Sequence, residues 1–151
     1  MLSYKELSPY PARFLAMTGY TGEEFQALLP YFQARFETYI KTTRLDGKPR
    51  TQRQYCFYRN SPLPTIEDKQ LFILVYLKQG TTQDVHAALF NMCQPKANVW
   101  IHLLHPILNQ ALADAGVLPA REPEALRLTQ EQDVAVYFHD GTERPIPRPK
   151  D

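Results

Sequence analysis

The chain has 151 residues, of which 44% are hydrophobic and 22% charged, and its formal net charge is +1. This length and apolar content suffice for one moderate hydrophobic core. Since there is no run of eighteen apolar residues and no signal-peptide pattern, we expect a cytoplasmic protein without a membrane partner. The two cysteines, Cys56 and Cys93, are too few for a disulfide framework and lack metal-ligand spacing, so we expect free thiols.

The N-terminal half predicts one long helix after an extension of residues 1–20. Thr21 and Glu24 form a capping-box pattern, and apolar residues then recur every three or four positions, which predicts a helix with one buried face. Pro30 interrupts this pattern. Because proline lacks an amide donor and clashes with the preceding turn, we expect a kink or two short helices.

Positive charge is concentrated in residues 41–59, within a stretch without clear periodicity that predicts a long irregular connection. Its charged residues are Lys41, Arg44, Asp46, Lys48, Arg50, Arg53 and Arg59. Such a stretch would attract a DNA backbone through counterion release, although a solvated basic loop has the same composition. We therefore predict phosphate contacts for Lys48, Arg50 and Arg53.

Two further helices are predicted from their caps. Thr65 offers an N-cap to an almost wholly apolar helix that should be buried, and Gly80 is suited to the left-handed residue that ends it. Thr81 can cap a short helix that runs through Phe90. The predicted inner face of this short helix consists of Val85, Ala88 and Leu89.

The segment after Phe90 has the pattern of a helix-turn-helix. Asn91 stands at the tight turn, where its tolerance of positive φ is useful, and Met92 should fill the space between the helices. Cys93 is the N-cap position of a helix that starts at about Gln94, while Pro95 fits its first turn. Two helices joined by so short a turn are typical of a unit that places its second helix in the DNA major groove.

The second helix of this pair divides into two faces. The apolar residues that should pack inward are Ala97, Trp100, Ile101 and Leu104. Gln94, Lys96 and Asn98 should project outward. Amide side chains can pair with adenine, and lysine can contact guanine or phosphate, at ~1–3 kcal/mol for each good contact. The alternative is an ordinary solvated helix face.

Three histidines, His86, His102 and His105, could suggest a metal site. No nearby cysteine or carboxylate completes a tetrahedral ligand set, so partly buried or phosphate-facing imidazoles are favoured. We include His102 among the predicted DNA contacts. Pro106 should bend the helix, which is expected to end at Gly116.

Several motifs together resemble a known family. They are LDGKPR at 45–50, NSPLPTIEDK at 60–69, FILVYLK at 72–78, LFNMCQPKANVWIH at 89–102 and DGTERPIPRPKD at 140–151. In these motifs the chain resembles the N-terminal helix-turn-helix region of DDE-superfamily transposases from bacterial insertion sequences, and the resemblance extends from about residue 18 onward.

The resemblance implies that the helix-turn-helix reads terminal inverted repeats and that Gln94, Lys96 and Asn98 contact DNA. It also implies an RNase H-like domain in which three carboxylates hold two divalent metals, Mg or Mn, in the complete enzyme. Residues 134–139 would be its first strand, and Asp140 the first catalytic carboxylate and a metal ligand if other residues complete the site. Since two-metal chemistry needs several ligands, we expect this chain alone to be non-catalytic and to need no cofactor.

These observations predict a mainly α fold, a helix-turn-helix bundle of about five helices with a short C-terminal β strand or hairpin. The expected divisions are an extension (1–20), a helical DNA-binding domain (21–116, its helix-turn-helix at about 65–116), a linker (117–133) and an incomplete RNase H-like domain (134–151). The leading hypothesis is a module that binds double-stranded DNA. The alternatives are half of an active transposase, completed by frameshifting or by a second chain, and a truncated regulator that acts by protein interaction or as a homodimer.

Overall fold

The computed structural model describes residues 1–51, 54–56 and 61–118. These residues form six helices, which confirms the mainly α class, and all six belong to one packed unit, Met1–Leu118. The helices are α1 (Tyr4–Leu7), α2 (Pro11–Thr18), α3 (Gly22–Thr42), α4 (Ile66–Gln79), α5 (Gln83–Leu89) and α6 (Gln94–Asp114). The predicted C-terminal strand, residues 134–139, lies outside the described residues.

The first twenty residues, expected to be an extension, form α1 and α2 and pack on α4. The Tyr4 amide donates a hydrogen bond of 2.8 Å to Oδ1 of Asp68 in α4. The Tyr4 ring stacks on that of Phe25 with centroids 5.1 Å apart, and Phe14 meets Phe25 edge to face at 5.2 Å. The N-terminal segment therefore contributes aromatic side chains to the same core as α3 and α4.

The capping box that begins α3 is confirmed. Thr21 Oγ1 accepts from the Glu24 amide at 3.2 Å, and the Thr21 amide donates to the Glu24 carboxylate at 2.8 Å. Division into two short helices is wrong, because α3 continues through Pro30 to Thr42. Leu28 and Phe32 are buried on either side of the exposed Pro30, so core packing holds the parts of α3 before and after the proline. Water can reach the backbone carbonyl that lacks a helical partner because proline has no N–H.

The helix α4 is the centre of the fold and contacts α1, α2, α3 and α6. Its predicted cap is confirmed, since Thr65 Oγ1 accepts from the Asp68 amide at 3.1 Å, and Gly80 ends the helix at a φ of +59°. Residues 68–75 are all buried. Burial of the apolar residues 71–75 confirms the predicted buried helix, whereas Asp68, Lys69 and Gln70 are buried polar residues.

Lys69 is a buried charge that the sequence pattern did not reveal. Its Nζ donates to the Leu63 carbonyl at 2.7 Å and to the Thr65 carbonyl at 3.1 Å, and it lies 5.7 Å from the centre of the Trp100 ring. Burial lowers the pKa of Lys69 to about 8, although the charges of Asp68 and Glu67 oppose this effect. The lysine thus fastens the segment before α4 to the core beneath α6.

The two longest helices, α3 and α6, pack against each other, and an ion pair joins them near the end of α6. The guanidinium of Arg35 donates from Nε and Nη2 to the two carboxylate oxygens of Asp114, at 2.5 and 2.7 Å. This bidentate pair holds the C-terminal turn of α6 against α3.

Candidate nucleic-acid interface

The helices α5 and α6, with the turn between them, form the candidate interface. The first of them begins one residue later than predicted, because Thr82 and not Thr81 is its N-cap. Thr82 Oγ1 accepts from the Val85 amide at 3.5 Å. Thr81 Oγ1 is instead buried, with no hydrogen-bond partner among the described residues. Two adjacent threonines offer the same cap chemistry, and tertiary packing selects between them.

The predicted inner face of α5 is wrong at two of its three positions, since only Leu89 is partly buried against the core. Val85 is 51% exposed and Ala88 is exposed, whereas His86, Ala87 and Phe90 are buried. The reason is aromatic packing against α4. The centre of the His86 ring lies 4.3 Å from that of Phe72, and the centre of the Phe90 ring lies 4.9 Å from it. These two larger side chains therefore face the core, where the apolar spacing predicted smaller residues.

The turn between the helices follows the prediction closely. Asn91 has a φ of +52°, the one positive φ of a non-glycine residue in the described part of the chain. The amides of Asn91 and Met92 donate to the carbonyls of Ala88 and Ala87 at 3.2 and 3.0 Å, which closes the end of α5. Met92 is partly buried against the core, where it was expected.

The second helix of the pair, α6, begins at Gln94 with Cys93 as its N-cap and Pro95 in the first turn, which confirms its predicted start. The inward face is also confirmed, since Ala97, Trp100, Ile101 and Leu104 are all buried. The helix continues through Pro106 to Asp114, with Ala115 as its C-cap. The structure therefore contains the helix, turn and helix that the sequence indicates.

The three polar residues at the start of α6 do not share one environment. Lys96 is exposed, whereas Gln94 and Asn98 are half-buried. Gln94 Nε2 and Asn98 Nδ2 both donate to Oε1 of Gln83, at 2.6 and 3.0 Å. Sequence reasoning missed Gln83, and the available signal was its amide side chain at the first position of α5. His102 is exposed and follows Asn98 by four residues, on the same side of α6.

The basic stretch meets the start of α6 at an open cavity of about 540 Å³, whose lining includes Arg44, Arg50, Lys96 and Trp100. Arg50 is half-buried, and its guanidinium donates to the carbonyls of Ile40 at 2.8 Å and Thr43 at 3.3 Å. It thereby fastens the basic loop to the end of α3. Among the predicted DNA contacts, Arg50 of the basic loop and Lys96 of α6 are thus neighbours in space.

The other basic residues of this stretch differ in position, among them the predicted contacts Lys48 and Arg53. Lys48 is exposed. Arg44 is exposed as well and lies 3.3 Å from the Asp46 carboxylate through Nη2. Arg53 lies outside the described residues. An antiparallel bridge between Thr43 and Pro49 folds this segment back on itself, so its basic side chains are presented from a short hairpin-like loop.

Metal-ligating clusters and membrane-spanning helices are both absent from the described residues. Among residues 1–51, 54–56 and 61–118, no group of three histidine, cysteine or acidic residues is placed to hold a metal ion. Asp140 lies outside these ranges, so its predicted role as catalytic carboxylate and metal ligand stays a prediction. No helix in the same ranges is long and apolar enough to cross a membrane.

The segment that contains α4, α5 and α6 matches a known protein family. Residues 61–114 match the family described as helix-turn-helix of DDE superfamily endonuclease. Neither the curated proteins nor the solved structures contain a significant match to the chain. The matched segment begins just before the carbonyls that Lys69 holds and ends at the residue that Arg35 pairs with. The match at residues 61–114 therefore supports an N-terminal helix-turn-helix region like that of a DDE transposase.

Proposed function

We propose that this chain binds double-stranded DNA and recognises the terminal inverted repeats of an insertion element, with α6 as the helix that enters the major groove. The observation that carries the proposal is the pair α5 and α6 inside the matched family segment, with Lys96 exposed at the start of the second helix. In helix-turn-helix proteins, the N-terminal residues of that helix contact base edges.

The start of α6 has suitable chemistry for reading bases. Gln94 and Asn98 carry amides, each of which can form two hydrogen bonds with adenine, and Lys96 can donate to guanine or to a phosphate. His102 extends the same side of the helix by one further turn, and we assign it a phosphate contact. Cys93 gives α6 no side-chain cap within the described structure, so the Gln94 amide can donate to a phosphate oxygen. The next residue is a proline without an N–H, and the Lys96 amide already donates to the Cys93 carbonyl at 3.1 Å.

The basic loop is proposed to hold the DNA backbone beside the groove. Lys48 and Arg44 are exposed on this loop, and Arg44 lines the same cavity as Lys96. Arg50 uses its guanidinium to fix the loop to α3, so we assign it to shaping the phosphate site and the exposed side chains to contacting phosphate. Contacts of this kind position a protein on DNA without reading its sequence.

The experiment compares two labelled duplexes in fluorescence anisotropy titrations. One carries the inverted repeat from the DNA that flanks the gene, and the other is a scrambled duplex of the same length and composition. We expect tighter binding to the repeat, with both affinities falling as salt rises because phosphate contacts release counterions. Equal affinity for the two duplexes would overturn sequence recognition, and no binding to either would overturn the function itself.

A further inference from the structure

We propose that Gln83 is a positioning residue for base recognition: it holds Gln94 and Asn98 in the orientation in which their amides read adenine. This inference rests on the proposed function, since it assigns a role within the same DNA-reading surface. Gln83 is the first residue of α5 and lies outside the recognition helix, so the predicted base contacts did not include it.

The geometry links three amides from two helices. Gln83 Oε1 accepts from Gln94 Nε2 at 2.6 Å and from Asn98 Nδ2 at 3.0 Å, which uses both lone pairs of that oxygen. All three side chains are half-buried. If the oxygen and nitrogen of every amide are exchanged, Gln83 Nε2 donates to the oxygens of Gln94 and Asn98 and the three side chains remain linked. The link therefore does not depend on which amide is the donor.

The link fixes flexible side chains before DNA arrives. Free glutamine and asparagine side chains sample several rotamers, and ordering them on binding reduces affinity. Here the hydrogen bonds to Gln83 select one arrangement in the unbound protein. Preorganised contacts discriminate better between bases, because a wrong base then meets donors and acceptors that cannot move to suit it.

The held amides keep the groups that adenine requires. Each amide of Gln94 and Asn98 donates one N–H to Gln83 and retains its oxygen and a second N–H. In the major groove adenine presents an N6 amino group as donor and N7 as acceptor. The free oxygen can therefore accept from N6 while the free N–H donates to N7. Guanine presents two acceptors in the same place and would leave the amide oxygen without a donor.

A purely structural role for Gln83 would give a different result on mutation. A cross-link between α5 and α6 affects the free energy of unfolding and binding to every duplex alike. A positioning role affects base preference at the positions read by Gln94 and Asn98 and leaves binding to scrambled DNA unchanged. The experiment therefore measures base preference and thermal stability in the same variants.

The test begins with selection of bound sequences from a randomised DNA duplex library by the full chain. Gln94→Ala and Asn98→Ala proteins then show which positions of the selected duplex these residues read. Gln83→Met keeps the side-chain length and removes the amide, Gln83→Glu keeps an acceptor oxygen, and Gln110→Ala is the matched control, an exposed glutamine further along α6. Thermal melting confirms that each variant is folded.

We expect Gln83→Met to lower the preference for adenine at those positions about tenfold, while affinity for a scrambled duplex changes less than twofold. Gln83→Glu should retain the preference with weaker overall binding, because its charge repels phosphates, and Gln110→Ala should match the unchanged protein. In a background that lacks both amides, Gln83→Met should have no further effect on preference. If the unchanged protein selects a sequence and Gln83→Met selects it equally well, the inference is overturned and the proposed function stands. If the unchanged protein enriches no sequence, both are overturned.

Discussion

The imidazole of His86 lies with its ring centre 4.3 Å from that of Phe72, and this contact joins the first helix of the helix-turn-helix to the central helix α4. His86 is fully buried, with Tyr76 and Phe90 also within 5.1 Å of its ring centre. Neither ring nitrogen has a hydrogen-bond partner in the described part of the protein. Burial lowers the pKa of His86 to about 4. The nearby backbone of Phe72 acts in the opposite direction and raises this pKa, but by less.

The free energy of unfolding should consequently fall as the solution becomes acidic. Above pH 6.5 His86 is neutral in both states, whereas between pH 6.5 and 4 the unfolded chain binds a proton that the folded protein does not. When the pH is lowered from 7 to 4.5, this histidine should reduce the free energy of unfolding by about 2 to 3 kcal/mol. Urea unfolding of the unchanged protein and of His86→Phe at both pH values measures the difference, with His105→Gln as an exposed control. An equal loss in the unchanged protein and in His86→Phe would contradict the account.

A second titration concerns Lys69, whose pKa burial lowers to about 8. The folded protein loses this proton near pH 8, whereas the unfolded chain keeps it up to about pH 10.5. Lys69 should therefore increase the free energy of unfolding as the pH rises from 8 to 10.5. The side-chain carbon resonance next to Nζ of Lys69 should titrate near pH 8 in the folded protein and near 10.5 in urea. Identical midpoints in the two conditions would contradict the effect of burial on the pKa of Lys69.

The left-handed turn residue Asn91 gives a prediction about stability. Asn91→Ala should destabilise the protein by about 1 kcal/mol, because a Cβ is strained at positive φ and alanine lacks the local hydrogen bonding of asparagine. Asn91→Gly should be at least as stable as the unchanged protein. Chemical denaturation measures both, and Asn109→Ala, at an exposed position inside α6, is the control that should show no loss. Equal stability of the alanine and glycine variants would rule out a requirement for positive φ here.

Lys96 gives the prediction that concerns DNA directly. Lys96→Ala should weaken binding to the inverted-repeat duplex about tenfold. If Lys96 contacts a phosphate, the variant should also reduce the slope of log affinity against log salt concentration by about one. Lys5→Ala removes the same charge from an exposed position on α1 and should change affinity less than twofold. Anisotropy titrations at several salt concentrations measure both effects. Equal losses in the two variants would indicate an effect of net charge instead of a contact.

Local chemistry in the sequence was enough to place most helix ends. The capping box at Thr21, the N-cap at Thr65, the glycine at 80, the turn at Asn91 and the start of α6 all agree with the structure. Each depends on the hydrogen-bonding or steric preference of one residue and its near neighbours in the chain. The buried face of α6 was equally predictable, because its apolar spacing is regular.

What the sequence did not reveal depends on contacts between distant residues. The choice of Thr82 over Thr81, the buried position of His86 and the continuation of α3 through Pro30 are all decided by packing against other helices. Lys69 resembled an ordinary surface lysine until the structure placed Trp100 beside it. In the same way, the link from Gln83 to Gln94 and Asn98 exists only because the turn brings two helices together.

The most direct measurement of the central claim is an NMR titration of the ¹⁵N-labelled protein with the inverted-repeat duplex, followed through backbone and side-chain amide signals. We expect the largest shifts at the start of α6, in the side-chain amides of Gln94 and Asn98, and in the basic loop around Lys48, with small shifts in α1 and α2. The scrambled duplex should shift the loop signals and leave the two side-chain amides nearly unchanged. Large shifts confined to α1 and α2, or the same shifts at Gln94 and Asn98 with both duplexes, would contradict sequence reading by α6.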